Sequence, residues 1–262
     1  MTIIRVVDLE TTGGLPPDHT VCEIGYIDVV STATDLAGTP CDWQVQGLPG
    51  SFFVDPGRPI PPESSAIHHI TDEDVAGAMS FDKGLLRLGQ TPVPIDVLAA
   101  HGAKFERLWL EEPFAGIPWI CTYKCALRLW PDAPAHSNQA LRYWRRPEGL
   151  DRFVAHFAHR AGPDAYVTAF HLRDLLALAP LDDLIKWSSE PALQVRCHIG
   201  KWRGALWRDV DDGFLHWVSA RDFDEDVLFT VRHEMDRRDR EWRDSEAAEE
   251  DADERQESFA RY

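Results

Sequence analysis

Residues 5–13 read RVVDLETTG. An apolar strand needs no carboxylates, yet Asp8 and Glu10 stand one residue apart in this one, with Thr11, Thr12 and two glycines directly after. Alternate side chains of a strand share a face, so the two acids point the same way, about 6.5 Å apart along the chain. Their neighbours Ile3, Ile4, Val6, Val7 and Leu9 are apolar on both faces, the pattern of a central strand covered on both sides. Two carboxylates in that setting repel each other and lose hydration. Two readings follow. Either the acids mark a strand end solvated by the next loop, or a hard divalent cation such as Mg²⁺ or Mn²⁺ offsets their charge.

Outward from this strand, residues 21–30 (VCEIGYIDVV) are rich in β-branched residues and predict a second strand across the turn GGLPPDH. A third apolar stretch, SFFVDP, follows a Gly/Pro-rich loop, and TDEDVAGAM opens a helix with Thr71 as N-cap. VPIDVLAAH predicts a buried strand followed by the helix AKFERLWLEE, and IPWICTYKCALRLW a short strand running into a helix. SNQALRYW is a short helix capped by Ser137, and residues 163–179 form a longer one. Strands first and βα alternation after predict an α/β domain over residues 1–180. A small aromatic-rich unit is expected over 181–240, and LDDLIKWSSEP at its start makes a helix stopped by Pro191.

The chain has 262 residues, 44% of them apolar, enough to bury a sizeable core. Its formal charge is −17. Residues 241–262 carry nine acidic and three basic side chains, hence −6, and are expected to be disordered or a frayed helix. The remaining −11 still repels polyanions, so a nucleic-acid partner would have to be held locally, by metals or clustered Arg and Lys. Five cysteines without a CxxC pair predict reduced thiols. With charges at Arg5, Asp8 and Glu10 and no 18-residue apolar run, the expectation is a soluble cytoplasmic protein.

Three further positions bear on the acids. Glu106, in AAHGAKFE, falls where a strand gives way to a helix; it is either near the strand end or an ordinary exposed helix residue. Lys104 beside it is a phosphate contact or a solvated lysine. In HRAGPDAYVTA, Gly162-Pro163 predicts a helix beginning at about Pro163, which places Asp164 in the first turn, where the helix dipole favours a carboxylate. His159 lies before that break. An imidazole titrating near neutrality suits a general base, though any one of eleven histidines is commonly a surface or core residue.

Taken in order, VVDLETTG, IHHITDEDV, AAHGAKFE, WICTYKCALRLWPDAPAHSNQALRYW and HRAGPDAYVTA resemble the DEDDh 3′–5′ exonuclease family, whose fold is shared with DNA polymerase proofreading subunits. Within it, the ICT…LWP…SN.AL stretch and the C-terminal GKWRG are similar to exodeoxyribonuclease X-type enzymes. The resemblance runs from about residue 3 to about 235. It implies a ribonuclease-H-like domain with a five-stranded mixed sheet flanked by helices. It implies two Mg²⁺ or Mn²⁺ ions held by Asp8, Glu10, Glu106 and Asp164, and His159 as the general base of a hydrolysis releasing nucleoside 5′-monophosphates from 3′ ends, DNA rather than RNA. Thr11, Leu15, His68, Lys104, Phe105 and Arg142 are the implied substrate contacts, with Phe105 equally suited to the core. Lys201 and Arg203 flank Trp202 and suit backbone tracking with stacking, or a solvated turn on a core Trp.

One motif departs from the pattern. The family usually has His-Asn-Ala-x-Phe-Asp where this chain has His101-Gly102-Ala103-Lys104-Phe105-Glu106. Glu keeps the charge on an arm one methylene longer. The alternative is therefore a weakened exonuclease fold that binds a nucleic-acid end or a protein.

Overall fold

The computed structural model describes residues 1–260, and the side chains of residues 1–248. It divides into two compact units, Met1–Glu190 and Pro191–Tyr262.

The first unit opens with β1 (Ile3–Thr11), β2 (Val21–Thr34) and β3 (Pro40–Asp55), followed by α1 (Pro62–His68), α2 (Asp72–Val75), the two-residue β4 (Met79–Ser80) and α3 (Phe81–Gly89). It continues through β5 (Val97–Ala100), α4 (Lys104–Leu110), β6 (Trp119–Cys121), α5 (Thr122–Leu129), α6 (Asn138–Arg145), α7 (Ala161–Leu176) and α8 (Leu181–Ser189). The sheet order is β4-β3-β2-β1-β5-β6. β1, β2 and β3 are antiparallel neighbours, while β5 lies parallel to β1 and β6 parallel to β5. The mixed sheet is as expected, with β4 as a sixth strand too short to show a period. α8 packs on β6 and belongs to the first unit.

β1 is central and covered on both sides. Ile4 and Val6 enter a core with α5, α6 and α7, whereas Val7 and Leu9 enter the opposite core with Leu88, Trp109 and Leu110. By strand parity, Asp8 and Glu10 continue the Ile4–Val6 row and face α7. On the same strand Arg5, buried, is neutralised by Asp28 through two 2.8 Å bonds. The β2–β3 hairpin reaches further than the apolar stretches suggested. Its five-residue turn, DLAGT, is closed by Asp35, whose side chain accepts the Ala37 and Thr39 amides at 2.8 Å.

α7 begins at Ala161, two residues before the Gly-Pro break suggested. Pro163 sits in the first turn, where its missing N–H leaves nothing unbonded. Gly25 on β2 lets that end of the helix reach the sheet. A Cβ there would lie 2.1 Å from the Ala161 carbonyl carbon.

The second unit has two short 3-10 turns (Gly200–Trp202 and Trp207–Asp209), then α9 (Asp212–Ser219) and α10 (Glu225–Ala260). Its core contains Trp207, Val210, Leu215, Val218, Val227 and Val231. Of the acidic tail, residues 241–260 are helix, and residues 261–262 lie outside the described residues.

Candidate active site

β1 and α7 bring three acids together. Single carboxylate oxygens of Asp8, Glu10 and Asp164 all lie within 4.8 Å of one another. The folded protein resists charging them all. Burial first, then the charges of Glu10, Asp164, Glu106 and Glu23, push the Asp8 pKa well above the usual carboxylate range. Burial and the neighbouring acids push Glu10 up to about 8, with Arg160 working against the shift.

Asp164 is held from three directions. Its Oδ1 accepts from Gln139 Nε2 at 2.6 Å and from Asn138 Nδ2 at 3.4 Å, both on α6, while its Oδ2 accepts the His159 amide at 2.6 Å. Burial raises its pKa, and the bonds from Gln139 and the His159 amide oppose the rise. His159 takes a left-handed backbone conformation, φ 59°, uncommon for a side-chain-bearing residue. Its amide is tied to the acid while the residue stays exposed.

Glu106 lies outside the trio, but its charge raises both Asp8 and Glu10. It is buried, burial pushes its pKa up to about 8, and its Oε2 has no hydrogen-bond partner among the described residues. An orphaned buried carboxylate oxygen beside three more carboxylates is an all-oxygen donor set short of positive charge, the kind that hard divalent ions fit. At the divergent position before it, Gly102 has φ 88° and open space where a Cβ would stand. Asn is among the side-chain-bearing residues that tolerate left-handed φ best, so either residue serves this turn.

Sequence reading missed Glu23, which faces Glu10 across the β1–β2 ladder. It is buried and takes four donors: Arg160 Nε at 3.0 Å, Arg160 Nη2 at 2.9 Å, the Ala161 amide at 3.0 Å and Ser51 Oγ at 2.6 Å. One carboxylate thus caps α7 and fixes the residue next to His159. A Glu in the middle of VCEIGYIDVV gave no such signal, because its cation comes from a residue 137 positions away. Glu23→Gln is expected to cost roughly 10–100-fold in activity, the range for partners that orient a site. Arg160→Gln should melt lower than Glu23→Gln, since Glu23 is 2% exposed and Arg160 32%; a freed arginine turns to water and a freed buried carboxylate does not. Melts of the two variants in the reverse order would refute this.

The implied substrate contacts divide. Leu15 and Lys104 are exposed. Thr11 spends its hydroxyl on the Gly13 carbonyl, and its own carbonyl meets His68 Nε2 at 3.2 Å. His68 is buried and its Nδ1 accepts the Ile70 amide at 3.1 Å, so the proton sits on Nε2 and the ring braces the β1 end. Phe105 packs in the core, edge-on to Trp109. Arg142 needs correction: it is buried, and its guanidinium bonds Gln139 Oε1 at 3.1 Å and the carbonyls of Ala155 and Arg152. Its charge is used to build the loop before His159, and a stretch dense in arginine gives no sign of which one turns inward. In the second unit Lys201 pairs with Asp211 at 3.5 Å, and Trp202 packs on that unit's core.

The model of the RNase_T family, described as "Exonuclease", matches residues 6–170. Exodeoxyribonuclease 10 of Escherichia coli strain K12 is 31% identical over 252 residues, which span 89% of this chain and 99% of that protein. The chain belongs to the exonuclease family. Among solved structures, exonuclease X in complex with 5′ overhanging duplex DNA superposes with a TM-score of 0.53 at 29% identity, covering 71% of this chain and 99% of its own. An exonuclease I structure shares the fold alone, with a TM-score of 0.51 at 17% identity over 71% of this chain and 43% of that one. The family expected from the motifs is the family found, and this exonuclease is a hydrolytic enzyme. Among the described residues no helix is long and apolar enough to cross a membrane.

Proposed function

We propose that this exonuclease removes nucleotides one at a time from the 3′ ends of DNA, with divalent metal ions, and releases nucleoside 5′-monophosphates. The observation that carries the reading is the meeting of Asp8, Glu10 and Asp164 from two separate elements, with Glu106 buried and its Oε2 unpaired beside them. Exodeoxyribonuclease in the relatives' name and duplex DNA in the solved relative favour DNA. Two divalent ions held by Asp8, Glu10, Glu106 and Asp164 would supply the charge that offsets four carboxylates and polarises the phosphodiester. His159 takes the proton of the attacking water on a ring nitrogen. Its amide bond to Asp164 fixes where the ring starts, and its exposure lets the proton leave to solvent. Asn138 and Gln139 hold Asp164 so that it need not reorganise during the reaction.

The test is a 5′-labelled oligonucleotide incubated with the protein and Mg²⁺ or Mn²⁺, as matched DNA and RNA, single- and double-stranded. The expected result is a ladder shortening from the 3′ end, faster on DNA, with mononucleotide 5′-phosphates as product. An unchanged label under both metals would refute the reading and favour a binding module.

A further inference from the structure

The segment leading to His159 makes an unusual choice of what to bury. Leu150, Val154 and Ala155 pack on the core, while its two largest apolar side chains, Phe153 and Phe157, are 72% and 65% exposed. Looseness does not account for this. The Asp151 amide bonds the Tyr166 hydroxyl at 3.2 Å, and the Asp151 side chain accepts the Phe153 amide at 2.8 Å. The buried Arg142 holds the carbonyls of Arg152 and Ala155 from beneath, and the Ala155 amide closes on the Asp151 carbonyl at 3.1 Å. The rings therefore stand on a fixed mount. Each also has a polar companion: the Arg152 guanidinium lies 4.8 Å from the Phe153 ring centre, and His156 stands edge-on to Phe157 at 5.0 Å.

We propose that Phe153 and Phe157 form a stacking subsite for unpaired bases of the strand whose 3′ end lies in the carboxylate site. The proposal rests on the nuclease reading and adds the place where unpaired bases behind the 3′ end are held. Phe157 is two residues from His159, so a strand presented to that histidine has its neighbouring nucleotides close by. Stacking also solves a problem set by composition. A chain of net charge −17 repels a polyanion as a whole, and an aromatic face binds a base without regard to charge. Arg152 then needs to meet only one phosphate.

The experiment measures anisotropy of a labelled single-stranded dT oligomer in the Asp8→Asn background with Mg²⁺, alongside KM for cleavage in the parent background. Phe153→Ala and Phe157→Ala should each weaken binding about tenfold, and the double variant more. Trp at either position should restore binding, and Leu, which keeps bulk without a π face, should not. A double variant that binds within about twofold of its parent, or Leu restoring as well as Trp, overturns the subsite. If the parent still shortens 5′-labelled DNA in that case, the nuclease reading stands without it. A parent that neither binds nor cuts removes both.

Discussion

Asp8→Asn abolishes nuclease activity and, in the chelated protein, raises the melting temperature at alkaline pH. The activity loss should exceed about 10³-fold, beyond the roughly 10–100-fold typical of residues that only orient a metal site. The stability gain has the opposite sign because the metal-free site is a set of repelling carboxylates. Glu10 and Glu106 have pKa values pushed up to about 8 and Asp8 is raised as well, so the folded state binds more protons than the unfolded chain. With folded values above unfolded ones, stability is fully present below the unfolded range near pH 4 and is lost as pH climbs towards 8. Near pH 5 Glu10 and Glu106, with values of about 8, carry little charge, so little repulsion is left for Asn to relieve. Near pH 8.5 the substitution relieves repulsion, worth roughly 2–4 °C for each kcal/mol. Differential scanning calorimetry in EDTA at the two pH values checks this; an Asn variant that melts lower at pH 8.5 would contradict it. Added Mn²⁺ should reverse the ranking, stabilising the parent more than the variant, because only the parent keeps all four carboxylates.

Gly25→Ala is expected to be the most damaging small substitution in the first unit. In an ordinary strand the change would favour folding by about 0.5–1 kcal/mol, since glycine loses the most conformational freedom. Here the new Cβ would lie 2.1 Å from the Ala161 carbonyl carbon and 2.4 Å from the Gly162 nitrogen, all backbone. Relief requires the start of α7 to lift off β2, at a cost of about 3 kcal/mol or more, or roughly 6–12 °C in Tm. The displaced atoms are those that position Asp164, the His159 amide and the Arg160–Glu23 pair. Activity should therefore fall by more than stability explains, at a temperature where the variant is still folded. Circular dichroism melts beside the oligonucleotide assay separate the two effects, and unchanged activity in a folded variant would refute the argument.

What could be read in the sequence was what short-range periodicity encodes. β1 declared itself by its apolar run, and the chance that Asp8 and Glu10 share a face followed from the alternation alone. Asp164 was legible because Gly-Pro marks a helix start, although the first turn began earlier than the break. Glu23 was not legible, since a glutamate in a strand looks the same whether solvent or a distant arginine answers its charge. Arg142 failed for the converse reason: three arginines in five residues look alike until the fold buries one under a loop. The β2–β3 hairpin escaped because the Gly and Pro residues within it read as punctuation, and the Asp35 turn that organises it has little hydrophobic pattern on either side.

The parity of β1 also governs how this exonuclease can change over evolutionary time. Two residues added to the tip of the β2–β3 hairpin lengthen an arm and leave the acids where they are. A single residue inserted between Ile4 and Asp8 would send both acids to the other side of the sheet, among Leu88, Trp109 and Leu110. Asp164 and the α7 residues around it lie on the other side, so the acids would lose their partner. Length variation is open on one edge of this sheet and closed at its centre.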